Sequence, residues 1–379
     1  MNSAHNHRYS SVIIVGAGPA GIGLGALFKQ LGLDNFIILD RHDVGSTFKK
    51  WPKEMKLLTP SFPGHGFGLL DLNAVVPSTS PGYAYASEHL TGNQYADYLK
   101  RIASHFRLPL EKGVEVNKID KEKKGFTLHT NQKTYSSDFV VWAGGEFQYP
   151  DLSSFTGSEN CQHTSHVHTW SSYRQSHYYI IGGYESGMDA AFHLTKQGNQ
   201  VTVLSKGAPW QDDDPDPSVS LSPFTSQRLN DLDPDSKTRL KLKDNAEVFK
   251  VEIADSGYLI HLSSGDTLFS ETKPFIATGF KSSLTRVFEH FFWEENGDIR
   301  LTDKDESTVS QGLFLSGPQV KHEDVIFCFI YKFRQRFAVI AQEICTRLGI
   351  EPRESVLELY RQSNMYLEDL TCCDNSCEC

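Results

Sequence analysis

The sequence predicts an α/β fold with two Rossmann-like dinucleotide-binding domains, the second inserted into a split first. Three observations carry that expectation. Two glycine-rich loops each stand between an apolar strand and a helix, and a strand ending in Ala-x-Gly follows each of them.

The first loop is the fuller one. Residues 11–15 (S-V-I-I-V) form a β-branched run that leads into Gly16-Ala17-Gly18-Pro19-Ala20-Gly21. Residues 22–31 have helical character and stop at Gly32; a second apolar run, 36–39, ends at Asp40. Strand, glycine turn, helix, strand and acid together make a βαβ dinucleotide fingerprint. Gly16 permits the tight turn, Gly18 lets the backbone approach a pyrophosphate, and Gly21 lets helix pack on strand. The helix N-terminus offers free N–H groups and partial positive charge to phosphates. Asp40, with Arg41 beside it, lies twenty-two residues past Gly18, where it can accept hydrogen bonds from ribose hydroxyls.

The second loop repeats the order with a change. A strand over 178–181 runs into Gly182-Gly183-Tyr184-Glu185-Ser186-Gly187, a helix over 188–197 ends at Gly198, and 200–204 is again a strand. Tyr184 replaces the middle glycine, so its Cβ is expected to shift the ligand or rearrange the turn. No acid follows the strand. Ser205 and Lys206 stand there instead and suit a 2′-phosphate, which favours NADPH over NADH. The competing reading is a structural βαβ unit without a nucleotide.

Length and composition bound the rest. The chain has 379 residues, room for two domains, with a formal net charge of −10 and a pI near 5.8. That balance argues against nucleic acid or an anionic membrane as partner. Residues 1–10 are polar and His-rich without a signal-peptide pattern, and no apolar stretch reaches membrane-span length. A cytoplasmic protein acting on a small molecule or a disulfide is the expectation, with its oligomeric state open.

Between the loops, 91–106 has helical spacing of Tyr95, Tyr98, Leu99, Ile102 and Phe106. Residues 114–119, 126–130 and 134–136 read as short antiparallel strands, and 139–142 as a buried strand ending in Ala143-Gly144-Gly145. Residues 276–280 (I-A-T-G-F), with Thr278 and Gly279, repeat that ending after the second loop. Small residues there let the chain pass close to a bound dinucleotide or change domain. Residues 212–236 read as a loop or lid, and 313–317 as a strand ending at Gly317. A long helix is expected over 325–348.

With these pieces in view, the chain resembles the two-dinucleotide-binding-domain flavoproteins, in the flavin-containing monooxygenase-like branch. That branch includes CzcO-type flavoproteins associated with cation efflux, and bacillithiol-disulfide reductases stand nearby. The resemblance covers about residues 10–348. It rests on the first loop with Asp40, on Gly45 followed by Trp51, on Leu57-Leu58-Thr59-Pro60, on the Tyr95-x-x-Tyr98-Leu99 helix, on both Ala-x-Gly crossings and on Leu315-Ser316-Gly317. It implies FAD in the first domain (1–148 and 281–370) and NAD(P)H in the inserted domain (165–280), NADPH preferred and NADH admissible. Asp40 would take the FAD ribose, the segment from Gly45 to Thr59 would lie against the flavin, and Gly317 with the start of the 325–348 helix would approach the isoalloxazine. The departures are Gly317-Pro318 where reductase relatives have Gly-Asp, a degraded Phe155-Thr156-Gly157 fingerprint, and no Asn between Gly45 and Asp71. No C-x-x-C occurs in either nucleotide domain, and no single acid–base side chain stands out as catalytic.

Histidines and cysteines add further expectations. His163, His166 and His168, with Cys161 near them, offer a metal reading if His166 and His168 share a strand face, but a degenerate family linker is preferred. Cys328 and Cys345 fall on the expected long helix as buried thiols. Cys372, Cys373, Cys377 and Cys379 crowd the tail 371–379, where four thiolates can close a Zn or Cu(I) site or act as a mobile dithiol arm. The leading expectation is an NADPH-dependent FAD oxidoreductase of monooxygenase type. The rivals are a reductase of disulfides or metal ions using the tail, and a flavoprotein metal sensor or chaperone.

Overall fold

The computed structural model describes residues 7–61, 71–174, 176–214 and 216–370. The cysteines of the tail lie outside them. The described residues form two compact units: 7–49, 60–61, 71–146 and 282–370 in one, and 50–59, 147–174, 176–214 and 216–281 in the other. Among them no helix is long and apolar enough to cross a membrane.

The first unit is built on a five-stranded parallel sheet in the order Leu313–Leu315, Phe139–Trp142, Val12–Val15, Phe36–Asp40, Leu110–Lys112. Val12, Ile13 and Ile14 are fully buried, which is why this strand reads as a continuous apolar run rather than an alternation. The helix Pro19–Leu31 starts with proline at its first turn and ends on Gly32 in the left-handed conformation. It packs so closely on the helix Phe337–Arg347 that a Cβ on Gly23 would lie 2.3 Å from the Phe337 ring. Thr91 and Gln94 form a reciprocal capping box at the start of the helix Gly92–His105. That helix buries Tyr95, Tyr98, Leu99 and Ile102, the positions its spacing predicts. A second sheet joins Val116–Lys121, Phe126–Thr130 and Thr134–Ser137 in antiparallel order. His7–Tyr9 adds to it in parallel, so the polar N-terminus carries a strand that its composition conceals.

The second unit repeats this plan. Its parallel sheet runs Leu240–Lys243, Gln200–Leu204, His177–Ile181, Phe275–Ile276, Gln162–His163. The helix Glu185–Lys196 follows the central strand, and an antiparallel meander of Val248–Ala254, Gly257–Leu262 and Thr267–Ser270 precedes Phe275–Ile276.

Four expectations are corrected. The helix expected over 325–348 is broken: Val325–Ile326 pairs with Lys321–His322 as a hairpin, Ile330–Phe333 is one helical turn, Arg334–Arg336 a 3-10 turn, and only Phe337–Arg347 a true helix. Arg334 and Arg336 decide the break. Both are buried, and they donate to the carbonyls of Asp71 and Ala74 and of Asp303 and Leu367, backbone acceptors that no helix periodicity reveals. Cys328 therefore precedes the helices and is only half-buried, while Cys345 is buried as expected. The loop expected over 212–236 holds the helices Pro223–Asn230 and Pro234–Arg239, capped by Ser222 and Asp233. His166 sits in a 3-10 turn, Thr164–His166, not on a strand with His168.

Candidate dinucleotide sites

In the first unit the glycine loop is held from beneath. The Gly16 amide donates to Leu39 O at 2.8 Å, and the Ala143 amide to Val15 O at 2.8 Å. Gly16 adopts φ +114°, and a Cβ there would lie 2.3 Å from Ala143 O. A Cβ on Gly21 would lie 1.9 Å from Gly16 O. These two glycines are demanded by the protein's own backbone. Gly18 differs: its φ is −82°, a Cβ would meet nothing within 4 Å, and no side chain caps the helix it opens. The space at Gly18 is thus open at the N-terminus of the helix, whose first-turn amides suit a pyrophosphate.

The surrounding residues converge on that loop. Asp40 accepts the amides of Ala17 at 2.8 Å and His42 at 2.7 Å, and its remaining lone pairs can still take ribose hydroxyls. Arg41 lies 3.5 Å from Glu115, whose carboxyl the Arg286 hydrogen bond holds below its usual range. The Gly45 amide donates to Ala17 O at 3.0 Å. Gly317, at φ +127°, sits over the first helical turn, where its Cβ would lie 3.8 Å from that of Ala20. Next to it the Ser316 hydroxyl is buried without a hydrogen-bond partner, an orphaned group that a ligand hydroxyl or phosphate would satisfy. Gln319 donates to Gly145 O at 3.2 Å, tying the turn after Gly317 to the crossing at Ala143 and Gly144. These residues fit a flavin dinucleotide. Trp51 and Thr59 group with the second unit, where Trp51 faces Phe147 at 6.1 Å between ring centres.

The second unit reproduces the frame nearly atom for atom. The Gly182 amide donates to Leu204 O at 2.9 Å and that of Ala277 to Ile181 O at 2.8 Å. Gly182 has φ +113°, with its Cβ position 2.4 Å from Ala277 O, and a Cβ on Gly187 would lie 2.0 Å from Gly182 O. Tyr184 has φ −88° and ψ −168°, against −82° and −168° for Gly18. The expected rearrangement of the turn does not occur, because this position needs only extended backbone that any residue adopts. Tyr184 is 54% exposed, and its hydroxyl donates to Val219 O at 3.4 Å.

Glu185 and Ser186 form the first turn of the helix. The Glu185 carboxylate accepts from the Ser222 amide and, at 2.5 Å, from the Thr225 hydroxyl, so the crossover segment is latched to the glycine loop. Burial pushes this carboxyl above its usual 4.5, and the hydrogen bonds from Thr225 and Ser222 pull it part of the way back. A raised acid is protonated in both folded and unfolded states below pH 4.5 and carries its full ionisation cost above the folded value. The second unit therefore loses stability as pH rises through that window. Glu185→Gln escapes the loss: its stability advantage over wild type in urea denaturation grows from about pH 4 to about pH 8. A constant gap would show that the carboxyl ionises without cost.

Ser205 is buried, with its hydroxyl against Gly183. Lys206 pairs with Glu247 at 2.8 Å but stays largely exposed, so the pair is a weak competitor for a phosphate. Thr278 donates to Asp151 O at 2.8 Å, and His163 Nε2 to Gly279 O at 3.1 Å. His163 Nδ1 accepts from the Ser165 amide, so both ring nitrogens are used within the protein. Its sequence gave no sign that it pins the second Ala-x-Gly crossing. No cluster of His, Cys, Asp or Glu fit to hold a metal occurs among the described residues.

The family model described as pyridine nucleotide-disulphide oxidoreductase matches residues 13–317. Oxidoreductase CzcO of Bacillus subtilis is 30% identical over 209 residues, 51% of this chain and 53% of that protein. Bacilliredoxin reductase Bdr of Bacillus subtilis is 23% identical over 195 residues, 52% of this chain and 56% of that protein. The chain spans about half the length of the curated relatives it matches. The structure of bacillithiol disulfide reductase from Staphylococcus aureus is similar in fold, with a TM-score of 0.74 at 20% identity over 90% of this chain and 99% of that one. A flavin-containing monooxygenase from Stenotrophomonas maltophilia gives 0.70 at 15% identity, over 90% and 99%.

Proposed function

The chain belongs to the pyridine nucleotide-disulphide oxidoreductase family, and on that ground we propose that it is an FAD-dependent NADPH oxidoreductase of monooxygenase type. The observation that carries this reading is the duplicated loop frame, in which Gly16 and Gly182 are forced by the protein while the space at Gly18 is left open. Gly16, Gly18, Pro19, Ala20 and Gly21 would hold the FAD pyrophosphate on helix-terminal amides, Asp40 the ribose, and Gly45, Ala143, Gly144 and Gly317 would close around it. Gly182, Gly183, Glu185, Ser186 and Gly187 would form the NADPH loop, with Tyr184 at its rim and Ser205 and Lys206 toward a 2′-phosphate. FAD held there would supply two-electron redox chemistry between a nicotinamide and oxygen with an organic substrate.

The rival is a disulfide reductase. Burial pushes the Cys161 thiol up to about 12 and that of Cys345 to about 11, so neither is a working nucleophile at neutral pH. A disulfide route would draw on Cys372, Cys373, Cys377 and Cys379, with half-buried Cys328 the other thiol left open to it. Anaerobic NADPH titration of the full chain, followed by oxygen and by thiol counting, separates the two. The expected result is stoichiometric FAD, bleached by NADPH with no gain in titratable thiols, then reoxidised with oxygen consumed. A gain in thiols on reduction, with disulfide turnover lost on removing 371–379, would replace the monooxygenase reading. Protein purified without flavin would end both.

A further inference from the structure

In the second unit, the crossover from Gln200–Leu204 to Leu240–Lys243 does not close on the sheet it spans. A cavity of about 230 Å³ remains beneath it. Trp210, Leu229 and Leu242 form apolar walls, and Ser226, Asn230 and Lys237 supply polar lining. The walls belong to the edge of the unit's main core, where Trp210, Leu229, Leu240 and Leu242 are only partly buried. A closed crossover would cover them, so the gap leaves apolar surface that an occupant would take from water.

The polar lining carries a single charge, on Lys237. Lys237 forms no ion pair among the described residues, and the side chains of Ser226 and Asn230 make no hydrogen bond to them. The donor-only ammonium of Lys237 sets the preference for an anionic acceptor, to which the hydroxyl and the carboxamide, able to donate as well as accept, can add hydrogen bonds. An apolar cavity of roughly 150 Å³ holds a benzene ring, so this one has room for a ring with a short acid arm. The indole face of Trp210 adds a surface on which a ring can stack.

We propose that this cavity is a binding site for a small aromatic carboxylate, its ring among Trp210, Leu229 and Leu242 and its carboxylate on Lys237. Trp210 also backs the second glycine loop: a Cβ on Gly183 would lie 3.0 Å from its ring. An occupant pressing on this wall alters the loop's affinity for nucleotide, a consequence that rests on the NADPH reading above.

Calorimetric titration of the full chain tests the site, with phenylacetate as probe and benzyl alcohol as its neutral counterpart. Phenylacetate is expected to bind, and Lys237→Gln to weaken it about tenfold while leaving benzyl alcohol unchanged. Leu229→Trp, which fills the cavity, removes both; if it fails to fold, Ser226→Phe fills it from the rim. Absence of phenylacetate binding, or equal binding by wild type and the variants, overturns the proposal. Phenylacetate at a concentration that fills wild type but not Lys237→Gln should also shift the NADPH Kd by about threefold or more in wild type and by less in the variant. An unchanged Kd with phenylacetate bound overturns the coupling. Protein that binds phenylacetate but no NADPH would instead refute the nucleotide reading and uphold the site.

Discussion

Gly18→Ala is expected to leave the first unit folded and to weaken FAD binding about tenfold or more, while Gly16→Ala strongly destabilises it. The two glycines stand two residues apart and fail for different reasons. At Gly16, φ +114° is a backbone region that L-residues rarely enter, and the new Cβ would meet Ala143 O at 2.3 Å. That oxygen cannot retreat, because the Ala143 amide donates to Val15 O at 2.8 Å within the parallel ladder. Strain and overpacking together cost about 3–5 kcal/mol. At Gly18, φ is −82° and the space is empty, so alanine fits without strain; the gain from a stiffer unfolded chain and the loss of a better N-cap residue offset each other, and the apoprotein keeps close to wild-type stability. The same methyl group fills the space assigned to the pyrophosphate. Urea denaturation of the apoprotein and FAD titration, run side by side, separate the effects. Wild-type FAD affinity in Gly18→Ala would remove the pyrophosphate from this loop.

Asp305→Ala is expected to destabilise the first unit by about 3–5 kcal/mol, a fall in Tm of roughly 10 °C. Asp305 is fully buried, and its carboxylate accepts from Arg336 Nε at 2.9 Å, Arg336 Nη2 at 3.0 Å and His322 Nε2 at 2.5 Å. Arg336 is itself fully buried, so removing the carboxylate strands a guanidinium with only carbonyl acceptors. The backbone is part of the same knot: the Leu315 amide donates to Asp305 O at 2.9 Å, next to the turn at Gly317. Loss of FAD affinity should therefore accompany the loss of stability. Asp305 has φ +61°, which asparagine tolerates, so Asp305→Asn keeps the shape and loses less. A cost below about 1 kcal/mol for the alanine variant would show that Arg336 finds another acceptor.

Neither Asp305 nor Arg336 stands out in the sequence. Both are single charged residues in segments of ordinary polarity, thirty-one positions apart, and only the fold brings them together. The same holds for Arg334, whose acceptors are backbone carbonyls more than two hundred and fifty residues upstream. These long-range bonds break the helix that the apolar spacing over 325–348 predicts. The helices within 212–236 were hidden for another reason: their Asp, Pro and Ser residues mark a loop by composition yet serve as caps and first-turn residues.

By itself the sequence determined the two βαβ units, the glycines at 16, 21, 182 and 187, the acid at 40 and the repeated Ala-x-Gly crossings. All are local patterns, set by what a tight turn between strand and helix allows. Only the tertiary structure decided that Tyr184 leaves its turn undisturbed, that the Ala143 and Ala277 carbonyls are what make Gly16 and Gly182 obligatory, and that a cavity lies beneath the crossover at Trp210. Those outcomes depend on which distant backbone and side-chain atoms meet, and periodicity along a chain carries no record of that meeting.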